Sequence, residues 1–69
     1  MGSIDIVING EEQAVSAGQS VAELLASLGL EPSRVAVELN RVILPREAWA
    51  DTPVREGARL EIVRFVGGG

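Results

Sequence analysis

The 69-residue sequence contains no cysteine and no histidine. Without them the chain cannot form disulfides, thiol nucleophiles or imidazole bases, and it lacks the side chains that hold most structural zinc ions. Its serines have neither a histidine nor a lysine to activate them, so no hydrolytic triad can be assembled. The sequence therefore excludes most enzyme chemistries, and we predict a protein without catalytic residues of its own.

Lysine is absent as well, because all six basic residues are arginine. The ten acidic residues outnumber them and give the chain a net charge of -4, which disfavours nucleic acid and favours a partner with a basic surface. The acidic residues do not alternate as they do in a cation-binding loop. We therefore expect neither a nucleic-acid partner nor a metal site.

Long hydrophobic runs are also missing from this chain. No stretch approaches the ~18 apolar residues that cross a bilayer, and the first residues do not have the pattern of a signal peptide. We expect a soluble cytoplasmic protein without a membrane partner. So short a chain has room for one small domain, which we place at residues 1–66, followed by a flexible glycine tail at residues 67–69.

Two strands and a turn are predicted at the start of the chain. Isoleucine occupies every second position of the first strand, as expected where one face of a strand is buried, at Ile4, Ile6 and Ile8. Asn9-Gly10 follows directly, and both residue types tolerate a positive φ. The chain should therefore turn back as a hairpin into a second strand over residues 11–16.

A helix is predicted after the hairpin. Ser20 and Glu23 have the spacing of a capping box. Apolar residues then recur with helical spacing, at Val21, Leu24, Leu25 and Leu28. Gly29 stands where a left-handed C-cap belongs. The helix should run for two to three turns with this apolar stripe facing the core.

The second half of the chain alternates short strands with turns. Strands are predicted over residues 35–39, 42–44 and 59–66. Pro45 begins a segment that is too short for a full helix, so we expect a single helical turn that ends near Trp49. We interpret this tryptophan as a structural residue that caps one end of a small core, with its N–H reaching solvent or a carbonyl.

This order of elements predicts an α+β fold of the β-grasp type, a mixed sheet of four to five strands with one main helix packed on one face. Parallel pairing of the first and last strands needs intervening crossover chain, and the sequence supplies it. A ferredoxin-like split βαβ fold is the alternative. It needs a second full helix, where this chain offers only residues 45–49.

The sequence ends in three glycines, Gly67, Gly68 and Gly69. A C-terminal carboxylate is an anion at neutral pH and a poor electrophile until ATP converts it to a mixed anhydride. Glycine suits this chemistry, because without a Cβ it can thread a narrow channel. Residues 66–69 span at most ~14 Å when extended, which is enough to reach a partner's nucleotide site. The three glycines alone fit such an arm and a featureless end equally well.

A more specific signal comes from five segments taken together: residues 9–10, 20–25, 39–40, 43–49 and 65–69. Through them the sequence resembles the ThiS family of thiamine-pathway sulfur carriers over residues 4–69. The narrow signals are Pro45-Arg46-Glu47 with Trp49 and the terminal diglycine, whereas the hairpin and the helix are common to many β-grasp proteins. Gly67 is one glycine more than the diglycine, and it lengthens the tail.

The resemblance implies a chemistry for the tail. The carboxylate of Gly69 would be adenylylated by the E1-like enzyme ThiF with ATP and magnesium, and then converted with sulfur from a donor enzyme into a thiocarboxylate. This group would deliver its sulfur to the thiazole synthase ThiG. Gly67 and Gly68 would be the residues by which partners recognise the tail. The chain would be a protein co-substrate that binds no cofactor itself.

Three other functions fit the same pattern. They are a molybdopterin-pathway carrier of the MoaD type, a ubiquitin-like modifier that forms isopeptide bonds with lysines of other proteins, and a plain interaction domain whose glycines have no role. The first two share the activation chemistry of the tail. Residues 45–49 favour the thiamine carrier over the molybdopterin carrier.

A partner-binding patch is predicted on the last strand. Leu60 and Ile62 share one face of this strand, whereas Val63 and Phe65 lie on the other. Because one helix covers only one face of a sheet, we predict that Val63 and Phe65, with Val7 of the neighbouring strand, form an exposed apolar patch beside the tail. Ordinary packing under a loop is the alternative.

Overall fold

The structure is a computed structural model, and it describes residues 2–65. Over these residues the chain forms one α-helix, α1 (Val21–Ser27), and five strands, β1 (Ser3–Ile8), β2 (Glu11–Ser16), β3 (Val35–Leu39), β4 (Val42–Leu44) and β5 (Arg59–Arg64). Two 3₁₀ helices, Pro32–Arg34 and Arg46–Asp51, lie in the connections. The predicted domain boundary at residue 66 and the tail at residues 67–69 lie outside the described residues.

The five strands form one mixed sheet in the order β2-β1-β5-β3-β4. The central strand is β5, which pairs in parallel with β1 and antiparallel with β3. The pairs of β1 with β2 and of β3 with β4 are antiparallel. This topology, with α1 on one face, confirms the predicted β-grasp fold and the predicted pairing of the first and last strands.

The turn between β1 and β2 forms as its residues predict. Asn9 and Gly10 have φ angles of 50° and 84°, so both adopt the left-handed conformation that a two-residue hairpin turn requires. Ile8 pairs with Glu11 at the end of the ladder. In this register Ile6 and Ile8 point towards the helix, where both are buried.

The helix α1 begins at the predicted capping box. Ser20 Oγ accepts a hydrogen bond from Glu23 N at 3.1 Å, and Glu23 Oε1 accepts one from Ser20 N at 2.8 Å. The helix ends at Ser27, and Gly29 continues the chain with a φ of 75°. Leu28 is 39% exposed. Its predicted place in the buried stripe is therefore wrong, because the helix ends one residue before it.

One hydrophobic core lies between α1 and the sheet. The helix contributes Val21, Leu24 and Leu25, each at most 1% exposed. We call the side of the sheet that they cover the inner face, and it carries Ile6, Ile8, Val35, Val37, Leu60 and Ile62. The opposite side is the outer face, which carries Val7, Ala36, Glu38, Ile43, Arg59, Glu61 and Val63 by strand alternation.

Trp49 closes one end of this core. It lies in the 3₁₀ helix Arg46–Asp51 and is 4% exposed. Its indole Nε1 donates a hydrogen bond to Leu44 O at 3.0 Å, which confirms the structural interpretation of this residue. The Arg46 guanidinium lies 5.8 Å from the centre of the indole ring, within the range of a cation–π contact. The helical turn extends two residues beyond the predicted 45–49.

Candidate functional site

The strand β5 connects the core to the tail. Its neighbours bond to it on both edges, and one residue past its end the N–H of Phe65 donates a hydrogen bond to Arg34 O at 2.8 Å. The predicted sulfur-carrying residue Gly69 and the predicted recognition residues Gly67 and Gly68 lie outside the described residues. The structure describes the folded domain that precedes the tail in the sequence.

Asn9 holds β5 on the edge that faces β1. The parallel ladder between the two strands ends at Ile8 and Leu60. Beyond it, Asn9 Oδ1 accepts a hydrogen bond from Ile62 N at 2.7 Å, and Asn9 Nδ2 donates one to Ile62 O at 3.1 Å. The carboxamide thus bonds to Ile62 as a backbone peptide group would. A turn residue therefore extends the ladder towards the end of β5 that leads to the tail.

Asn40 has an equivalent role on the opposite edge of β5. It also has a positive φ, 51°. Its N–H donates to Arg59 O at 2.8 Å, and its Oδ1 accepts from Arg59 N at 3.0 Å. The tolerance of asparagine for positive φ predicts a turn at both positions. It does not predict the bonds to β5, because they depend on which strand folds beside the turn.

An apolar cavity lies on the outer face beside β5. Val63 is 57% exposed and Ile43 is 74% exposed. The cavity has a volume of about 150 Å³ and is lined by Ala36, Val37, Glu38, Ile43, Glu61 and Val63. The periodicity of residues 42–44 predicts a strand, but it does not predict that Ile43 and Val63 line the same cavity. We call this feature the outer-face cavity.

Two glutamates lie directly opposite each other in the outer-face cavity. Glu38 of β3 pairs with Glu61 of β5, and both are exposed. The Cβ atoms of directly opposed residues are ~5 Å apart, so these like charges repel each other. By register, the nearest cation of the outer face is Arg59, two residues or about 7 Å along the strand from Glu61. The walls of the cavity are thus apolar, and two of the residues that line it are acidic.

The structure separates the three residues that were predicted to form one patch. Val7 is half-buried and pairs with Arg59, four residues or about 13 Å along β5 from Val63. Phe65 is 56% exposed. It lines a second cavity, of about 280 Å³, at the end of the sheet with Gly29, Leu30, Glu31, Arg34, Val35 and Arg64. Val63 and Phe65 are thus exposed near the start of the tail, whereas Val7 lies away from it.

Two kinds of feature, a cluster of metal ligands and a membrane-spanning helix, are not found among the described residues. Between residues 2 and 65, no group of three acidic side chains is placed so that it could hold a metal ion. In the same part of the chain no helix is long and apolar enough to cross a bilayer.

The topology and the position of α1 define a ubiquitin-like β-grasp domain. A designed protein based on the template of human erythrocytic ubiquitin has the same fold, with a TM-score of 0.53 over 100% of this chain and 98% of that chain. The two sequences are 17% identical, so this likeness concerns the fold alone.

Within this class, the chain belongs to the ThiS family, whose model matches residues 5–69. The crystal structure of the thiamine biosynthesis protein ThiS from Geobacter metallireducens has a TM-score of 0.81 and 36% identity, and it covers 96% of this chain and 100% of that chain. The sulfur carrier protein ThiS of Escherichia coli is 33% identical over 66 residues, which are 96% of this chain and 100% of that protein. The predicted family is confirmed.

Two longer relatives are thiazole synthases. The protein from Paramagnetospirillum magneticum is 48% identical over 64 residues, which are 93% of this chain and 20% of that protein. The protein from Magnetococcus marinus is 38% identical over 64 residues, again 20% of its length. This chain therefore spans about one fifth of the length of these two relatives. Each of them contains a segment similar to this chain within a much longer polypeptide.

Proposed function

We propose that the chain is a sulfur carrier protein of thiamine biosynthesis. The observation that carries this proposal is the likeness over nearly the whole chain to the ThiS proteins of Escherichia coli and Geobacter metallireducens. The fold supports it, because the central strand β5, bonded on both edges, leads directly towards the tail. The tail, rather than a pocket of the domain, would carry the reacting group.

In the proposed reaction the carboxylate of Gly69 is the reacting group. A carboxylate oxygen attacks the α-phosphorus of ATP, which an E1-like enzyme, ThiF, binds with magnesium, and pyrophosphate leaves. A sulfide-equivalent nucleophile from the donor enzyme then attacks the acyl carbon, AMP leaves with the electrons of the broken C–O bond, and a thiocarboxylate remains. Activation is needed because a free carboxylate is a poor electrophile. Glycine leaves the acyl carbon open to attack, since it has no Cβ.

We propose the thiazole synthase ThiG as the acceptor of the sulfur. The two thiazole synthases that contain a segment similar to this chain support this pairing. Joining two proteins in one polypeptide raises the effective concentration of each at the other. The separate chain would deliver its sulfur through the tail, whose residues 66–69 span at most ~14 Å when extended.

The proposed docking surface for the activating enzyme lies at the end of β5. Val63 and Phe65 each expose more than half of their surface near the start of the tail. Large apolar side chains of this kind supply much of the free energy of binding when a partner buries them. Gly67 and Gly68 are proposed to thread the channel that leads to the nucleotide. Val7, being half-buried and distant from Val63, would contribute least to the contact.

The intact mass of the chain tests this proposal. The purified chain is incubated with the E1-like enzyme, ATP, magnesium and the sulfur donor. The expected product is heavier by the difference between one sulfur and one oxygen atom. Reactions without ATP, or with the carboxylate of Gly69 converted to an amide, should leave the mass unchanged. Gly68→Val should also fail, because a β-branched side chain restricts φ and widens a segment that must pass a narrow channel.

Other results of the same experiment would contradict the proposal and identify an alternative. Attachment of the chain to lysines of other proteins would identify a modifier. A mass that stays unchanged under all conditions would identify an interaction domain. A thiocarboxylate that transfers sulfur to a molybdopterin precursor, and not to the thiazole synthase, would identify a carrier of the MoaD type.

A further inference from the structure

The charges at the outer-face cavity do not stabilise the domain on its own. Glu38 and Glu61 occupy directly opposed positions on neighbouring strands. Like charges at such positions destabilise a sheet. Both side chains are exposed, so the fold does not require a carboxylate at either position. A cation on a partner docked at the outer face would offset this repulsion.

The walls of the cavity restrict what this cation can be. Ala36, Ile43 and Val63 line the same cavity as the two glutamates and give it apolar walls. A bare metal ion would leave these walls uncovered, and between residues 2 and 65 no third acidic side chain is placed to help hold one. An arginine side chain fits better. Its methylene stem packs on apolar walls, and its planar guanidinium presents several N–H donors, so it can bind two carboxylates at once.

We propose that the outer-face cavity receives an arginine side chain of the activating enzyme. This inference rests on the proposed function, because a sulfur carrier must dock on such an enzyme. Two thiazole synthases contain a carrier-like segment in their own polypeptide, so linkage brings acceptor and carrier together there. The activating enzyme has to recognise the carrier by its surface. Val63 belongs both to the cavity and to the end of β5, so an arginine bound there would fix the enzyme close to the tail.

A matched control is available on the same face of the sheet. Glu12 is an exposed glutamate of β2, and its partner across the ladder is Val7. Two strand spacings, about 10 Å, separate β2 from β5. Removing the charge of Glu12 therefore changes the net charge as much as removing that of Glu38 or Glu61, but it leaves the outer-face cavity intact.

Binding measurements on the full chain test the inference. The affinity of the E1-like enzyme for wild type, Glu38→Gln, Glu61→Gln and Glu12→Gln is measured by titration calorimetry at low and at high salt. We expect Kd to rise about tenfold for each of the two cavity variants, as for other charge pairs buried at interfaces. For Glu12→Gln we expect a change of less than about twofold. The melting temperatures of the cavity variants should stay level or rise, because a repulsive pair is removed.

Three outcomes would overturn the inference. Unchanged affinity of both cavity variants would show that the carboxylates have no partner on the enzyme. Equal losses in all three variants would show that only net charge matters. A change in self-association, without a change in enzyme affinity, would show that the occupant is a second copy of the chain. Failure of the proposed function would look different, because wild type would then form no adenylate with the enzyme at all.

Discussion

Both faces of the sheet carry aliphatic side chains, but the two faces differ in what covers them. On β5, Leu60 and Ile62 of the inner face are 0% and 9% exposed, whereas Val63 of the outer face is 57% exposed. All three side chains are aliphatic, so residue type does not explain the difference in exposure. The position of α1 explains it, because the helix covers one face only. The inner face therefore stabilises the fold, and the outer face leaves apolar surface exposed, at which we propose that a partner docks.

The largest effect is expected on the free energy of unfolding, when a side chain of the core on the inner face is truncated. Leu25 is 1% exposed, so Leu25→Ala should leave a cavity and lower the free energy of unfolding by about 2–4 kcal/mol. Chemical denaturation measures this loss. Leu28→Ala is the matched control, because Leu28 is 39% exposed and its truncation should cost less than about 1 kcal/mol. Equal losses in the two variants would mean that the core does not lie where the structure places it.

A substitution near the tail should weaken binding of the activating enzyme and leave the fold intact. Phe65→Asp should cost roughly 2 kcal/mol or more of binding free energy for the activating enzyme, as truncation of a hot-spot residue does. Its melting temperature should change little, because Phe65 is 56% exposed. Calorimetric titration and thermal unfolding measure the two quantities. Unfolding of the variant would place Phe65 in the core and would contradict the assignment of this residue to a binding surface.

A smaller effect is expected at the edge of β5. Asn9→Gly keeps a residue that tolerates positive φ but removes both side-chain hydrogen bonds to Ile62. The loss should be about 1–2 kcal/mol in the free energy of unfolding, because a part-buried N–H and C=O lose their partners. Amide hydrogen exchange should accelerate at Ile62, whose N–H loses its acceptor, more than at Leu60, which lies within the ladder between β1 and β5. Unchanged exchange at Ile62 would show that the carboxamide does not hold the strand.

The smallest effect concerns the helix that covers the inner face. Ser20→Ala removes the hydroxyl that accepts from Glu23 N, and the loss of an N-cap typically costs about 1 kcal/mol. Ser33→Ala, at an exposed serine outside α1, should change stability by less than about 0.5 kcal/mol. Thermal unfolding of the two variants side by side measures the difference. Equal melting temperatures would contradict a role of the capping box in holding α1 on the sheet.

The sequence predicts the local features of this molecule well. The bounds of β3 and β4 match the predicted 35–39 and 42–44, because turn residues flank both short strands. The hairpin at Asn9-Gly10 and the capping box at Ser20 also follow from chemistry within a few neighbouring residues. The predicted last strand of 59–66 ends earlier, at Arg64.

Features that join distant parts of the chain do not follow from local pattern. Glu38 lies opposite Glu61, and Ile43 and Val63 line one cavity, because of the register between β3, β4 and β5. The bonds of Asn9 to β5 have the same origin. The local sequence pattern therefore does not predict those contacts of the candidate site that depend on strand register.

In the proposed mechanism the tail reacts and the domain presents it to the activating enzyme. Pyrophosphate release by the E1-like enzyme is measured with a chain that lacks Gly69, and the melting temperature is measured on the same sample. We expect no release above the level without carrier, together with an unchanged melting temperature. Release at the wild-type rate from the shortened chain would contradict the proposed mechanism.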